Sequence, residues 1–163
     1  MSRPGHVIDS VRFARGGSVA SGSIGLSRLA RLTAQFGPQV GRAAFEVRGV
    51  EEEGKPLLCL TVSAQLSLRC QRCLDELVLP VSLRSRLLLI EAGEPWPEDE
   101  ITEDRFDAIP AQVELDITTL IEDEMLLALP ISPRHASCEA PAARLNGGEG
   151  RAFAGLANLL RPH

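Results

Sequence analysis

Two runs of alternating residues occupy the middle of the chain. In the first run, every even position from Leu58 to Leu68 is apolar, and the odd positions between them are mostly polar. In the second run, the odd positions from Leu77 to Leu89 are apolar except Ser85. A period of two is typical of a strand with one buried face, and two such runs predict an antiparallel hairpin. The segment Cys70-Gln71-Arg72-Cys73 lies near the tip of this hairpin.

Three other segments show a regular pattern. Residues 39–50 alternate like a further strand. Residues 23–37 place apolar side chains at roughly helical spacing, which predicts a helix. The pattern from Ile117 to about Leu129 predicts a second helix, because Asp116 is a good N-cap and Pro130 ends the run.

The remaining segments are less regular. Residues 1–22 are polar, with a few apolar residues as anchors. Residues 91–112 are rich in proline and acid, and we expect a mobile excursion that carries one short strand. The acidic residues Glu122, Asp123 and Glu124 are expected to face solvent or a basic partner.

These elements predict an α+β fold, in which an antiparallel sheet centred on a long hairpin is covered by one or two helices. The chain of 163 residues is long enough for one domain, which we place at residues 1–137. Residues 138–150 resemble a linker. Residues 151–163 form a short amphipathic segment through Phe153, Leu156 and Leu160, which needs to dock on the domain or on a partner to be stable.

Charge is distributed unevenly along a chain whose net charge is −5. Residues 1–50 hold 7 arginines against two acidic residues, whereas residues 91–124 hold 13 acidic residues against Arg105. Such asymmetry can indicate an RNA-facing side or an acidic partner-binding surface, although each charge alone is most simply a solvated side chain. If RNA is contacted directly, the candidate residues are Arg28, Arg31, Arg42 and Arg48.

Several activities lack the residues they need. The sequence has 5 Phe, 1 Trp and no Tyr, which leaves few rings for stacking on unpaired bases. No glycine-rich phosphate loop, Gly-x-Ser-x-Gly elbow or His-Glu-x-x-His motif occurs, so we expect neither an enzyme nor a small-molecule substrate. No signal peptide or apolar run of membrane length occurs either, so we expect a cytoplasmic protein with reduced thiols and no membrane partner.

Two pairs of metal-ligand residues share one spacing. Cys70 and Cys73 are three positions apart, and so are His135 and Cys138. This spacing lets both side chains of a pair reach one tetrahedral ion, and three thiolates with one imidazole suit zinc. Zinc is therefore the cofactor to expect if a metal is bound. The residue after Cys73 is Leu74, where a zinc knuckle normally has a glycine.

Two alternatives use these residues without a metal. Cys70 continues the apolar side of its strand and can pack inward, with Cys73 free on the turn and His135 at the end of the helix. A Cys-x-x-Cys pair can also be a redox centre, but such centres usually place the first cysteine at a helix N-terminus, which lowers its pKa. Here the pair connects two predicted strands.

Four segments, in order along the chain, carry a family likeness. They are SRLARL (27–32), LRCQRCLDEL (68–77), ELDITTLIEDEMLLALPISPRH (114–135) with Cys138 behind it, and AFAGLANL (152–159). In these segments the chain resembles the YceD family, the large ribosomal RNA subunit accumulation proteins. It departs from the pattern at Arg151-Ala152, where relatives tend to have Asn-Pro.

The resemblance implies a bacterial, non-enzymatic factor needed for normal levels of large-subunit ribosomal RNA. Its partner would be a pre-ribosomal particle or a ribosomal protein. The alternative function is that of a redox or metal-handling protein that uses Cys70 and Cys73. The residues expected to bind a partner are Arg72, Glu122, Asp123, Glu124, Phe153 and Leu156.

Overall fold

The computed structural model describes residues 7–96 and 106–141. Within these ranges the helical elements are α1 (Ser10–Arg15), a 3-10 turn (Leu26–Arg28), α2 (Ala30–Phe36) and α3 (Ile117–Ala128). The strands of the same ranges are β1 (Val7–Ile8), β2 (Val19–Gly25), β3 (Arg42–Glu52), β4 (Lys55–Arg69), β5 (Glu76–Ile90), β6 (Asp107–Pro110) and β7 (Leu115–Asp116).

The main sheet has five strands in the order β2-β3-β4-β5-β6. Its first four strands are antiparallel, and β6 adds to the edge of β5 in parallel. The predicted hairpin is its centre, because β4 and β5 pair from Leu57 and Leu88 to Arg69 and Glu76 at the tip. Strands β1 and β7 form a separate small antiparallel sheet. The predicted α+β class is therefore confirmed.

The alternation of the hairpin places one face of the main sheet in the core. Leu60 and Leu66 of β4 and Leu87 and Leu89 of β5 are at most 1% exposed, and they share a core with residues of α2 and α3. Burying one such leucine contributes about 1.5–3 kcal/mol. The polar positions of the same strands point away from the helices, so the second face of the sheet is uncovered from Cys59 onwards, whereas Leu57 and Leu88 at its end are buried.

The helix predicted over residues 23–37 is wrong in its first half. Strand β2 continues to Gly25, with Ser23 paired to Ala44 at the edge of the sheet, and the α-helix begins only at Ala30. Pairing with β3 satisfies the backbone of this segment and overrides its weak helical spacing. The irregular segment before it also contains α1, which Asp9 caps by accepting a hydrogen bond from the Arg12 amide at 3.0 Å.

The C-terminal half follows the prediction more closely. Helix α3 spans Ile117–Ala128, and its N-cap Asp116 accepts a hydrogen bond from the Thr118 amide at 2.8 Å. The short strand expected within residues 91–112 is β6. Among the helices that the structure describes, none is long and apolar enough to cross a membrane. The segment 151–163, with Phe153, Leu156 and Leu160, lies outside the described residues, so its docking stays a prediction.

Candidate metal centre

The tip of the β4–β5 hairpin meets the segment that follows α3. The ligand atoms of Cys70, Cys73, His135 and Cys138, which we call the Cys3His cluster, all lie within 4.8 Å of one another. The Cys70 Sγ and Cys138 Sγ atoms are 3.7 Å apart, and Cys73 Sγ lies 3.3 Å from His135 Nδ1. The structure therefore brings the two pairs together, as a shared ion would require, whereas metal binding itself stays a prediction.

Backbone hydrogen bonds shape the turn that carries the first pair. The Cys70 amide donates to the Asp75 carbonyl at 2.9 Å, and the Leu74 amide donates to the Cys70 carbonyl at 3.0 Å. Leu74 has a φ of 68°, in the left-handed region that favours glycine. The missing glycine therefore does not prevent the turn. A leucine adopts the required conformation at a cost of about 1 kcal/mol or more.

Amide groups surround the Cys70 sulfur. The amide nitrogens of Arg72 and His135 each lie 3.5 Å from Cys70 Sγ. Burial of the sulfur raises the pKa of Cys70, but the N–H groups of Cys73, Arg72 and His135 outweigh it and lower this pKa to about 5. The tip thus holds a buried thiolate, which is the form of cysteine that binds metals.

The pKa of Cys73, the second thiol of the turn, is raised instead of lowered. The Asp75 amide lowers the pKa of Cys73, but burial and the neighbouring Cys70 and Cys138 sulfurs outweigh it and raise the pKa to about 11. Negative charges this close oppose the loss of another proton. A bound dication would remove the opposition, so binding of a metal would release the Cys73 proton.

The ring of His135 is oriented as in a metal ligand. Its Nε2 atom lies 3.0 Å from the carbonyl oxygen of Glu76, which can only accept a hydrogen bond. The proton is therefore on Nε2, and Nδ1 presents its lone pair to the cluster. Metal-binding histidines are commonly fixed in this way, by a carbonyl on the nitrogen that does not bind the ion.

Arg72 points into the cluster. Its Nε donates to Cys138 Sγ at 2.9 Å, and its Nη2 donates to the His135 carbonyl at 2.9 Å. The guanidinium predicted to bind a partner thus ties the hairpin tip to the second ligand pair. Three thiolates and Zn²⁺ carry a net charge of −1, which one arginine offsets.

The donor set of the Cys3His cluster fits zinc. Three sulfur atoms and one imidazole nitrogen match a tetrahedral structural site, in which all four ligands come from the protein. Zinc held by Cys70, Cys73, His135 and Cys138 would cross-link the hairpin tip to the chain after α3. Such a site leaves no position for a substrate.

Glu122 lies in the core, so the expectation that it faces solvent is wrong. Its side chain is 7% exposed and accepts hydrogen bonds from the amides of Arg31 at 2.7 Å and Leu32 at 3.0 Å. The Arg31 side chain adds an ion pair at 3.1 Å. Leu29 at the N-cap of α2 provides no side-chain acceptor, so Glu122 caps α2 from another helix.

Glu124 is also buried, while Asp123 is half-buried. Glu124 is 9% exposed and accepts a hydrogen bond from the Ser85 hydroxyl. Burial raises the pKa of Glu124 despite this bond, and the charges of Asp107 and Asp123 raise it further. Asp123 forms an ion pair with Arg31. The basic group that faces Glu122 and Asp123 therefore belongs to the same chain.

The arginines named as RNA contacts lie in two separate places. Arg28 is in the 3-10 turn and Arg31 binds the acidic residues of α3, both on the helical side. Arg42 and Arg48 lie on the uncovered face of the sheet, where Arg42 donates to Ser23 Oγ at 2.8 Å. Arg84 and Arg86, which the prediction did not name, lie on the same face, and the polar alternation of β5 could have placed them there.

The fold and the cluster define a class of protein. It is a small α+β protein in which cysteine and histidine side chains join a hairpin tip to the segment after a C-terminal helix. The model of the family described as "Large ribosomal RNA subunit accumulation protein YceD" matches residues 58–160, well over half of the chain. The chain therefore belongs to the YceD family.

The matched region has clear limits. It includes the hairpin, the Cys3His cluster, α3 and most of the C-terminal segment, whereas SRLARL (27–32) lies before it. No curated protein and no solved structure matches the chain.

Proposed function

We propose that this protein is a ribosome-biogenesis factor that supports the accumulation of large-subunit ribosomal RNA. It acts in the cytoplasm by binding a ribosomal protein or a pre-ribosomal particle. The observation that carries this proposal is membership of the YceD family over residues 58–160. Binding, rather than a reaction, is the proposed activity.

The chemistry of the cluster supports a non-enzymatic role. Cys73 and His135 have the pairing of an activated nucleophile, since Sγ and Nδ1 are 3.3 Å apart. However, the pKa of Cys73 is raised to about 11, which is the wrong direction for a reactive thiolate. The donor set instead suits a closed structural zinc site.

The test is a deletion strain, in which large-subunit ribosomal RNA and ribosome profiles are measured. We expect fewer large subunits and less of their RNA, with small subunits less affected, and rescue by the full chain. Unchanged large-subunit particles in the deletion strain would contradict the proposal.

The zinc part of the proposal has its own measurement. Elemental analysis of untagged protein should give about one zinc per chain. A content near zero in protein with an intact fold would exclude the site, and would leave the ribosomal role to be decided by the deletion strain.

A redox function is the second candidate. It is favoured by the lowered pKa of Cys70, at about 5, and by the 3.7 Å between the Cys70 and Cys138 sulfur atoms. Against it, the Cys70 side chain is fully buried and out of reach of a substrate. Thiol titration against a glutathione series distinguishes the redox function from a structural zinc site. A redox pair must cycle at cellular potentials, whereas a zinc-bound pair need not.

The C-terminal segment is proposed as a second contact with the partner. Removing residues 150–163 should leave the melting temperature unchanged while abolishing rescue of the deletion strain. A large fall in melting temperature would instead assign Phe153, Leu156 and Leu160 to the core of the domain.

A further inference from the structure

The uncovered side of the main sheet forms a continuous surface, which we call the open face. It consists of alternate residues of β3 from Arg42 to Arg48, of β4 from Cys59 to Arg69 and of β5 from Glu76 to Arg86. The register aligns them in rows across the three strands, such as Ala44, Ser63 and Ser82. Most of these positions are exposed, so the helices leave this side of the sheet free.

The open face is basic in an acidic protein. It carries 5 arginines, against Glu46 and Glu76 as its acidic residues, whereas the whole chain has a net charge of −5. The arginines are Arg42, Arg48, Arg69, Arg84 and Arg86. Acidic residues are concentrated elsewhere, in residues 91–124. This segregation creates a local positive potential that favours a polyanion.

Three arginines of the open face form no ion pair with an acidic residue that the structure describes, and of these Arg69 donates to the Leu74 carbonyl at 2.9 Å. Arg84 is exposed and makes no hydrogen bond or ion pair with any residue that the structure describes. Arg42 binds only the hydroxyl and carbonyl oxygens of Ser23, at 2.8 and 2.7 Å. Strand geometry separates their backbones by about 16 Å, so they can engage different phosphates of one ligand.

The groups between the arginines indicate which part of a nucleic acid would be contacted. Hydroxyl and amide side chains occupy several positions between the arginines, namely Thr61, Ser63, Gln65, Ser67 and Ser82, beside the apolar Ala44, Val78 and Pro80. These groups suit phosphate oxygens and ribose hydroxyls. No aromatic ring lies on the open face within the described residues, so this surface has no ring on which an unpaired base could stack.

We propose that the open face binds the sugar–phosphate backbone of helical RNA, with Arg42 and Arg84 as its main contacts. This inference deepens the proposed function by naming the chemistry of the partner, and it rests on that function for the choice of RNA over another polyanion. Double-helical RNA presents regularly spaced phosphates and ribose hydroxyls, which an aromatic-free, hydroxyl-rich surface can recognise by shape.

The test measures binding of the full chain to a fluorescently labelled RNA hairpin by anisotropy, over a series of salt concentrations. Replacing both main contacts (Arg42→Glu with Arg84→Glu) should weaken binding about tenfold and make the slope of log K against log salt shallower by about 2. Arg28→Glu is the matched control, because Arg28 is exposed but lies on the helical side. Thermal melts establish that all variants are folded.

Three results would overturn the proposal. The unaltered chain could fail to bind the hairpin, the double variant could bind as tightly as the unaltered chain, or Arg28→Glu could weaken binding equally. A labelled RNA without base pairing serves as a competitor, and tighter binding to it would overturn the assignment to helical RNA. In each case a deletion strain that still loses large-subunit RNA would preserve the proposed function.

Discussion

The Cys3His cluster, which is partly buried, and the buried Glu122 carboxylate are both polar sites that connect distant parts of the chain, but their surroundings differ. Glu122 meets two amides and the Arg31 side chain, so its negative charge is fully accommodated by the protein. In the cluster, sulfur atoms face one another, and the pKa of Cys73 is raised to about 11, first by burial and then by its neighbours.

This difference separates a structural carboxylate from a candidate ligand site. Both motifs look functional in the sequence, because each concentrates groups able to carry chemistry. In the Cys3His cluster, by contrast, the raised pKa of Cys73 means that the surrounding N–H groups and Arg72 do not by themselves stabilise a second thiolate there. A bound dication would stabilise the additional thiolates of the cluster, whereas Glu122 requires nothing further.

The largest effect is expected from Cys70→Ser. Loss of one thiolate should abolish zinc binding and release the segment after α3 from the hairpin tip, lowering the melting temperature by about 10 °C. Elemental analysis and a thermal melt measure both. Cys59→Ser is the control, because Cys59 lies on the open face away from the cluster. Retention of one zinc per chain by Cys70→Ser would contradict the assignment.

A smaller effect is expected from Glu122→Ala. It leaves the amides of Arg31 and Leu32 without their acceptor, and the melting temperature should fall by about 6 °C, with zinc content unchanged. Asp123→Asn removes only the exposed ion pair with Arg31 and should lower the melting temperature by less than about 2 °C. If Glu122→Ala also lost zinc, the two sites would not be independent.

Leu74→Gly should have a modest stabilising effect. Glycine adopts the left-handed conformation of this turn without strain, and the lost side chain is 47% exposed, so we expect the melting temperature to rise by about 2 °C. Asp75→Gly is the control, since Asp75 has no positive φ and glycine there should be destabilising. A fall in melting temperature for Leu74→Gly would show that the leucine side chain contributes more than its backbone strain.

The smallest effect concerns pH and Glu124. Because burial raises its pKa above the unfolded value, its contribution to stability is fully present at low pH and is lost as the pH rises through the folded pKa. Glu124→Gln should remove this part of the pH dependence while keeping an acceptor for Ser85. Urea unfolding between pH 4 and 7 measures how the unfolding free energy of Glu124→Gln and of the unaltered chain depends on pH. Glu114→Gln, at an exposed position, is the control. Identical pH profiles for Glu124→Gln and the unaltered chain would contradict the prediction.

The parts of the structure that could be predicted from sequence are those fixed by local pattern. The hairpin follows from alternation, because a half-buried strand must place every second residue in the core. The three-residue spacings of Cys70 with Cys73 and of His135 with Cys138 identified both pairs of the candidate metal site for the same local reason. Strand β2 was missed because Ser21, Gly22 and Ser23 alternate weakly and depend on pairing with β3.

Other features depend on tertiary contacts that no local pattern encodes. Glu122 appears in the sequence as one of three adjacent acids, and only the packing of α3 beside α2 shows that it caps another helix. Arg72 was expected to contact a partner, yet the position of Cys138 determines where its guanidinium binds. Contacts between residues more than 60 positions apart set both roles.

The ligand pairs lie far apart in the chain, with 68 positions between Cys70 and Cys138. Neither pair alone completes a tetrahedral site, and in the folded chain the hairpin and the packing of α3 bring the second pair to the first. Because the unfolded chain lacks a preformed site, the binding free energy of a metal at this site would add to the stability of the fold. Zinc uptake would therefore report on the finished fold, because only there do the four ligand atoms lie within 4.8 Å of one another.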